Sequence, residues 1–198
     1  MDVRQAVGRE IGWVSAQAAD DVQTIKRIAA GDRPALAELY VRYRQALFRY
    51  LLQLTPDHGL AEELLQDTLV AVWQSANRFE GRSSVQTWLL GIARRQAHNT
   101  LRQRGPPLAD PVELEALLAS DLEPEASALA GAAREALVAA FAQLAPVHRE
   151  ALVLTFVNEL SQQQVAQVLG VPVGTVKSRL SAARRALRAL LETREGAE

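Results

Sequence analysis

The chain has 198 residues, 48% of them hydrophobic, and a formal net charge of -1, which suits one ordinary domain or two small ones and excludes a chain disordered throughout. It contains no cysteine, which excludes a disulfide framework, a Cys-type zinc finger and a cysteine nucleophile, and fits a reducing, cytoplasmic setting. No stretch has the apolar core of a signal sequence or the length of a membrane span, so the sequence predicts a soluble protein without membrane insertion.

Helical periodicity dominates and no alternating strand pattern stands out. Residues 1–20 read as a weakly patterned extension. A short helix is predicted from Asp21 to Ala30, stopped by Gly31, and Asp32 with Pro34 restarts a longer one. In that helix Leu36, Leu39, Tyr40, Tyr43, Leu47, Tyr50, Leu51 and Leu54 recur at spacings of three and four and mark one buried face. Thr55 to Gly59 reads as a turn. The next helix, Leu60 to Ala76, buries Leu64, Leu65, Val72 and Trp73. After the loop Phe79 to Ser83, a helix runs from Ser84 to Arg102, and Gly105-Pro106-Pro107 ends the first domain, because proline cannot continue a helix.

The stretch from Gly105 carries four prolines up to position 124 and reads as an extended linker with one helical turn around Leu114 to Leu118. Helices resume from Ser127 to Leu144 and from Pro146 to Val157. The sequence thus predicts an all-α protein: an extension (1–20), a helical domain (21–104), an acidic linker (105–126) and a second helical domain (127–194).

The small net charge hides sorted blocks. No acid lies between Glu80 and Asp110, where Arg82, Arg94, Arg95, Arg102 and Arg104 sit. Between Glu159 and Glu192 there is again none, and Lys177, Arg179, Arg184, Arg185 and Arg188 supply the charge. Asp110, Glu113, Glu115, Asp121, Glu123 and Glu125 form a connector without a base. Two basic modules flanking an acidic linker is the charge pattern of a nucleic-acid binder.

The C-terminal module reads as a helix-turn-helix. Ser161 and Gln164 fit a capping box that starts a helix at Gln162 and carries it to Leu169. Gly170 suits the left-handed position closing it, and Pro172 suits the first turn of the next. On that second helix Val173, Val176, Leu180, Ala183 and Leu187 form the buried stripe, while Lys177, Ser178, Ser181, Arg185 and Arg188 point away from it. Short side chains permit close approach to a groove, and the bases reach guanine edges or phosphates. A plain solvated helix shares this charge; the capped first helix and the glycine-proline turn set the motif apart.

In the first domain the segment FEGRSSVQTWLLGIARRQAHNTLRQR places Arg95, His98, Asn99 and Arg102 on one face, with Trp88, Leu89, Ile92 and Leu101 largely on the buried one. Arg and Asn on an exposed helix can read base edges, and a loop of small polar residues ahead of it can hold an unstacked base. The alternative is a solvated helix with Trp88 in the core.

Together these segments resemble the bacterial sigma-70 family, within it the small two-domain extracytoplasmic-function (ECF) class, over Pro34 to Arg104 and Glu135 to Leu191. AEELLQDTLVAVW resembles the helix with which such factors grip the clamp helices of the largest RNA polymerase subunit. FEGRSSVQTWLLGIARRQAHNTLRQR resembles the part that melts and reads the minus 10 promoter element. VPVGTVKSRLSAARRALR resembles the reader of the minus 35 element. Departures from the family pattern are the exchange of Glu80 and Arg82, Val85 in place of an aromatic, and Ala182 in place of a base.

The resemblance implies a dissociable promoter-specificity subunit, not an enzyme, with no cofactor and no metal. Core RNA polymerase and promoter DNA are the implied partners, and an anti-sigma factor a common further one. It places Glu63, Gln66 and Asp67 toward polymerase, and Arg82, Ser83, Ser84, Trp88, Arg95, His98, Asn99 and Arg102 at the minus 10 element. Thr175, Lys177, Ser178, Arg179, Ser181, Arg184 and Arg185 fall at the minus 35 element. The family's connector runs through polymerase channels; in the free chain an acidic linker is expected to shield the basic helices. Rival readings are a repressor that binds duplex by itself, a decoy that holds polymerase without initiating, and an enzyme. Against the last, no Walker loop, metal-spaced His pair or nucleophile motif is present.

Overall fold

The computed structural model describes residues 19–104 and 128–195, and of the second segment the side chains of 135–192. The predicted turn at Leu114 to Leu118 and the linker acids lie outside the described residues. Among those described every regular element is helical.

Helix α1 spans residues 19–29. The chain turns at Gly31, whose φ of 89° is open to glycine at little cost. Helix α2, Arg33–Leu54, starts where the Asp32 carboxylate accepts from the Ala35 amide at 3.3 Å, with proline in its first turn. This is an N-cap followed by a residue that needs no amide partner. Buried Asp21 accepts from both Arg42 and Tyr43 and so pins α1 across α2. Burial and the Asp21 carboxylate push the Tyr43 hydroxyl well up, which keeps it a neutral donor.

Helix α3, His58–Ser75, begins two residues earlier than the periodicity indicates. The cause is Asp57, which caps the Leu60 amide at 3.0 Å and draws His58 and Gly59 into the first turn. A short 3-10 turn, Ala76–Arg78, ends it. Helix α4, Val85–Arg104, runs two residues beyond the predicted end. Leu39, Leu47, Tyr50 and Leu51 of α2, Leu64 and Val72 of α3, and Leu89 and Leu90 of α4 are all at most 1% exposed and form the first core.

The second unit comprises α5 (Ala128–Gln143), α6 (Pro146–Leu152), α7 (Gln162–Leu169) and α8 (Val173–Glu195). One continuous helix from Pro146 to Val157 is expected; instead α6 widens into a π turn over Val153–Val157. Asn158 N closes back on the Val153 carbonyl at 3.0 Å, and Glu159 takes the left-handed φ of 55°. That widening ends the helix and turns Asn158 inward.

The two units do not stand apart. Helices α2 and α4 pack against α6, the π turn and α7, and the buried apolar residues form one cluster running through both units. Leu64→Ala should therefore lower unfolding free energy by about 2–5 kcal/mol, whereas Val70→Ala at a 55% exposed site should change it by under about 0.5 kcal/mol; urea denaturation measures both.

Candidate nucleic-acid interface

The helix-turn-helix forms as its residues dictate. Ser161 Oγ accepts from the Gln164 amide at 3.3 Å while Gln164 Oε1 accepts from the Ser161 amide at 2.9 Å, completing the capping box. Helix α7 ends at Leu169, and Gly170 closes it at a φ of 66°. Pro172 stands one residue outside α8 rather than in its first turn, its carbonyl accepting from the Thr175 amide at 2.9 Å.

On α8, Val176, Leu180 and Ala183 are buried and Val173 and Leu187 pack against them. The opposite face presents Lys177, Ser178, Ser181, Arg185 and Arg188, all exposed. Arg185 donates to Ser181 Oγ at 2.9 Å, and Ser178 Oγ donates to the Thr175 carbonyl at 2.9 Å, which holds these groups in a row. The other residues of the expected set lie on the flanks. Thr175 and Arg179 are half-buried, and Arg184 sits with its guanidinium 5.9 Å from the centre of the exposed Phe156 ring.

In the first unit Arg95, His98, Asn99 and Arg102 are brought together on the exposed face of α4. With Gly91 and Arg94 they line one side of a cleft of about 420 Å³; Gln167 to Gly170 of α7 line the other. Arg102 donates to Asn99 Oδ1 at 2.9 Å, so the amide is oriented by its neighbour. Partial burial and the Arg94 guanidinium lower the His98 imidazole below its usual range, favouring the neutral ring at physiological pH.

The loop ahead of α4 differs from a row of free polar groups. Gly81 supplies a φ of 71°. Arg82 pairs with Glu80 in the loop itself. Ser84 caps α4, its Oγ accepting from the Thr87 amide at 3.2 Å, and it also accepts from Gln164 Nε2 at 3.3 Å. Ser83 is half-buried, and so is Trp88, whose ring packs on Phe79 with centroids 5.1 Å apart.

On α3, Gln66 and Asp67 are exposed, and exposed Glu63 accepts from Arg104 at 2.7 and 3.0 Å. Gln66 lies with Glu62, Leu69, Tyr40, Val41 and Phe48 in a groove of about 840 Å³ between α2 and α3. Sequence reasoning missed this groove, because it joins Glu62 and Leu69 to residues on a different helix. Among the described residues no cluster of His, Cys, Asp or Glu is arranged to hold a metal ion.

Both helical units match known proteins. The model for sigma-70 region 2 matches residues 39–106 and that for sigma-70 region 4 matches residues 134–187. The RNA polymerase sigma-H factor of Pseudomonas aeruginosa is 30% identical over 176 residues, covering 84% of this chain and 91% of that protein. The ECF RNA polymerase sigma factor RpoE of Cereibacter sphaeroides is 32% identical over 160 residues, covering 79% and 86%. Two solved structures share the fold. CnrH in complex with the cytosolic domain of CnrY gives a TM-score of 0.66 at 25% identity, over 87% of this chain and 97% of that one. The sigma factor RpoE of Bartonella quintana, in complex with the anti-sigma factor NepR, gives 0.60 at 27%, over 79% and 96%.

The chain belongs to the sigma-70 family of RNA polymerase sigma factors, in its ECF class. It is thus a promoter-specific transcription initiation factor that works with core RNA polymerase and promoter DNA, and not an enzyme. Among the described residues no helix is long and apolar enough to cross a membrane. Ser161→Ala removes the cap on α7 and should cost about 1 kcal/mol of stability, with faster amide exchange at the start of α7 read by hydrogen-exchange mass spectrometry.

Proposed function

We propose that the two basic faces divide promoter recognition between them. Residues 21–104 are the region 2-like unit that binds polymerase and opens and reads the minus 10 element. Residues 127–194 are the region 4-like unit that reads the minus 35 duplex, and 105–126 connect them. The observation that carries this reading is the convergence of Arg95, His98, Asn99 and Arg102 on one face of α4, at the family's place for minus 10 contacts. Neutral His98 and oriented Asn99 offer both donors and acceptors to base edges, while Arg95 and Arg102 supply charge to phosphates. A flipped base costs a few kcal/mol to extract, and the Glu80 to Ser84 loop at the head of α4 is the place to receive it.

In the second unit Lys177, Ser178, Ser181 and Arg185 enter the major groove, and Arg188 extends the row along the backbone. Arg179, Thr175 and Arg184 flank that row and contact phosphates beside it. Polymerase docks on the groove between α2 and α3, where Gln66 lies, and on exposed Glu63 and Asp67 of α3. Glu63 is held only by an exposed pair with Arg104, of a kind worth under about 1 kcal/mol, so polymerase can compete for it. The protein acts in the cytoplasm, where promoter and polymerase are. An anti-sigma factor is a further partner, supported by the Bartonella relative bound to one.

Run-off transcription with purified core polymerase on promoter-bearing templates tests this reading. Product should appear only when core polymerase and this chain are combined. Asn99→Ala should reduce open-complex yield by roughly 5–150-fold, the equivalent of about 1–3 kcal/mol for one lost base contact. Lys177→Ala should weaken binding and lower the dependence of log affinity on log salt by about 1. Binding of a duplex with full affinity by the chain alone would instead indicate a repressor, and polymerase binding without product a decoy.

A further inference from the structure

Phe156 is the one aromatic among the large apolar side chains exposed in the described residues, at 58%. A single exposed apolar side chain is ordinary; Phe156 is set apart by how firmly it is held and by what stands over it. It belongs to the π turn Val153–Val157. Val153 and Leu154 before it, and Asn158 and Leu160 after it, are buried. Thr155 Oγ1 donates to the Ala151 carbonyl at 2.8 Å, Asn158 N to the Val153 carbonyl at 3.0 Å and Leu160 N to the Leu154 carbonyl at 3.0 Å, so the turn is closed on both sides of the ring. The extra residue that a π turn admits into a helix lets the flanking side chains stay in the core while Phe156 emerges. The ring is presented by a braced backbone.

Over it stands Arg184 of α8. The centre of the guanidinium lies 5.9 Å from the ring centre, within the roughly 6 Å over which a cation is drawn to an aromatic face. Among the described residues no acid pairs with Arg184. Arg184 is exposed and stands three residues after Ser181 and four before Arg188, spacings that put all three on one side of a helix. It therefore borders the Lys177 to Arg188 row. Within that row Arg185 is tied to the Ser181 hydroxyl, whereas Arg184 is held from outside α8, by a residue on the turn that follows α6.

How an arginine is held decides what it can do. A carboxylate would fix it but would also neutralise it, and an incoming phosphate would have to displace that carboxylate. An aromatic face restrains the planar guanidinium without cancelling its charge or occupying its N–H groups. Its donors stay available for the paired hydrogen bonds that a guanidinium makes to phosphate oxygens.

We infer that Phe156 is a positioning residue for DNA binding, whose ring holds the Arg184 guanidinium, still charged and with its donors free, at the edge of the α8 row for a phosphate of the duplex. This rests on the reading of α8 as the minus 35 reader. Phe156 acts through Arg184 and contributes affinity, and it carries no choice of sequence, since phosphate contacts carry none.

Binding of the full chain to a fluorescein-labelled random-sequence duplex of about 30 base pairs, followed by anisotropy over a range of NaCl concentrations, reads phosphate contacts without a promoter. Phe156→Leu keeps apolar bulk but has no π face, and should weaken binding by about two- to fivefold at low salt. Phe156→Trp restores the π face and should bind at least as tightly as the intact chain. Arg184→Ala should weaken binding and lower the dependence of log affinity on log salt by about 1. In that background Phe156→Leu should change nothing further, because the two residues act as a pair. An unchanged affinity for Phe156→Leu, equal losses for Phe156→Leu and Phe156→Trp, or a further loss on top of Arg184→Ala would overturn the inference. Lys177→Ala keeps it separable from the reading beneath it. If the intact chain binds no duplex, or Lys177→Ala binds as tightly as the intact chain, the reading of α8 fails and the inference with it. If Lys177→Ala weakens binding and Phe156→Leu does not, only the role of Phe156 fails.

Discussion

A single buried carboxylate organises this molecule. Glu150 leaves water for an interface between two helical units, and the cost of burying an ionised group there is several kcal/mol unless hydrogen bonds replace hydration. Two donors from the first unit provide that replacement, the Tyr50 hydroxyl and the Arg94 guanidinium. Burial and the adjacent Glu150 carboxylate push the Tyr50 hydroxyl well above its usual range, so it remains a neutral donor. The three groups depend on one another. Removing either donor leaves the carboxylate short of a partner, and removing the carboxylate strands a phenol and a guanidinium.

Around that contact the apolar surfaces divide the work. Leu64 and Val72, and Leu89 and Leu90, lock α3 and α4 to α2, within an apolar cluster that continues into the second unit. Val176, Leu180 and Ala183 do the same for α8. The seam between the units carries more of the polar bonding: Glu150, Asn158, Gln86, Gln164 and Ser84 all bond across it. The seam is not only polar, since the buried apolar cluster runs through it as well.

The sequence made the elements and one of the two faces almost fully legible. The capping box at Ser161 and Gln164, the left-handed Gly170 and the stripe Val176, Leu180, Ala183 are local rules, and local rules are readable without a fold. Helix ends were less so. Asp57 pulls α3 back over His58 and Gly59, and the π turn at Val153–Val157 breaks what periodicity alone reads as a single helix. Least legible was the seam. Nothing in the spacing of Tyr50, Arg94 and Glu150 marks them as partners, since their meeting depends on how two units dock. For the same reason Ser84 reads in sequence as the start of a helix and a DNA contact, but in the structure it caps α4 and accepts from Gln164. The acid-free block around α4 has the chemistry of a nucleic-acid binder, yet it could not show that α7 would line a cleft with that face.

The most direct measurement is the distance between the units in solution, with Glu150 intact and with Glu150→Ala. Exposed Arg33 and Glu192, replaced by cysteine in this otherwise cysteine-free chain, can carry a pair of spin labels for pulsed electron paramagnetic resonance. The intact chain should show one narrow distance distribution and Glu150→Ala a broader one. Equal distributions for both would contradict an account built on the Glu150 seam.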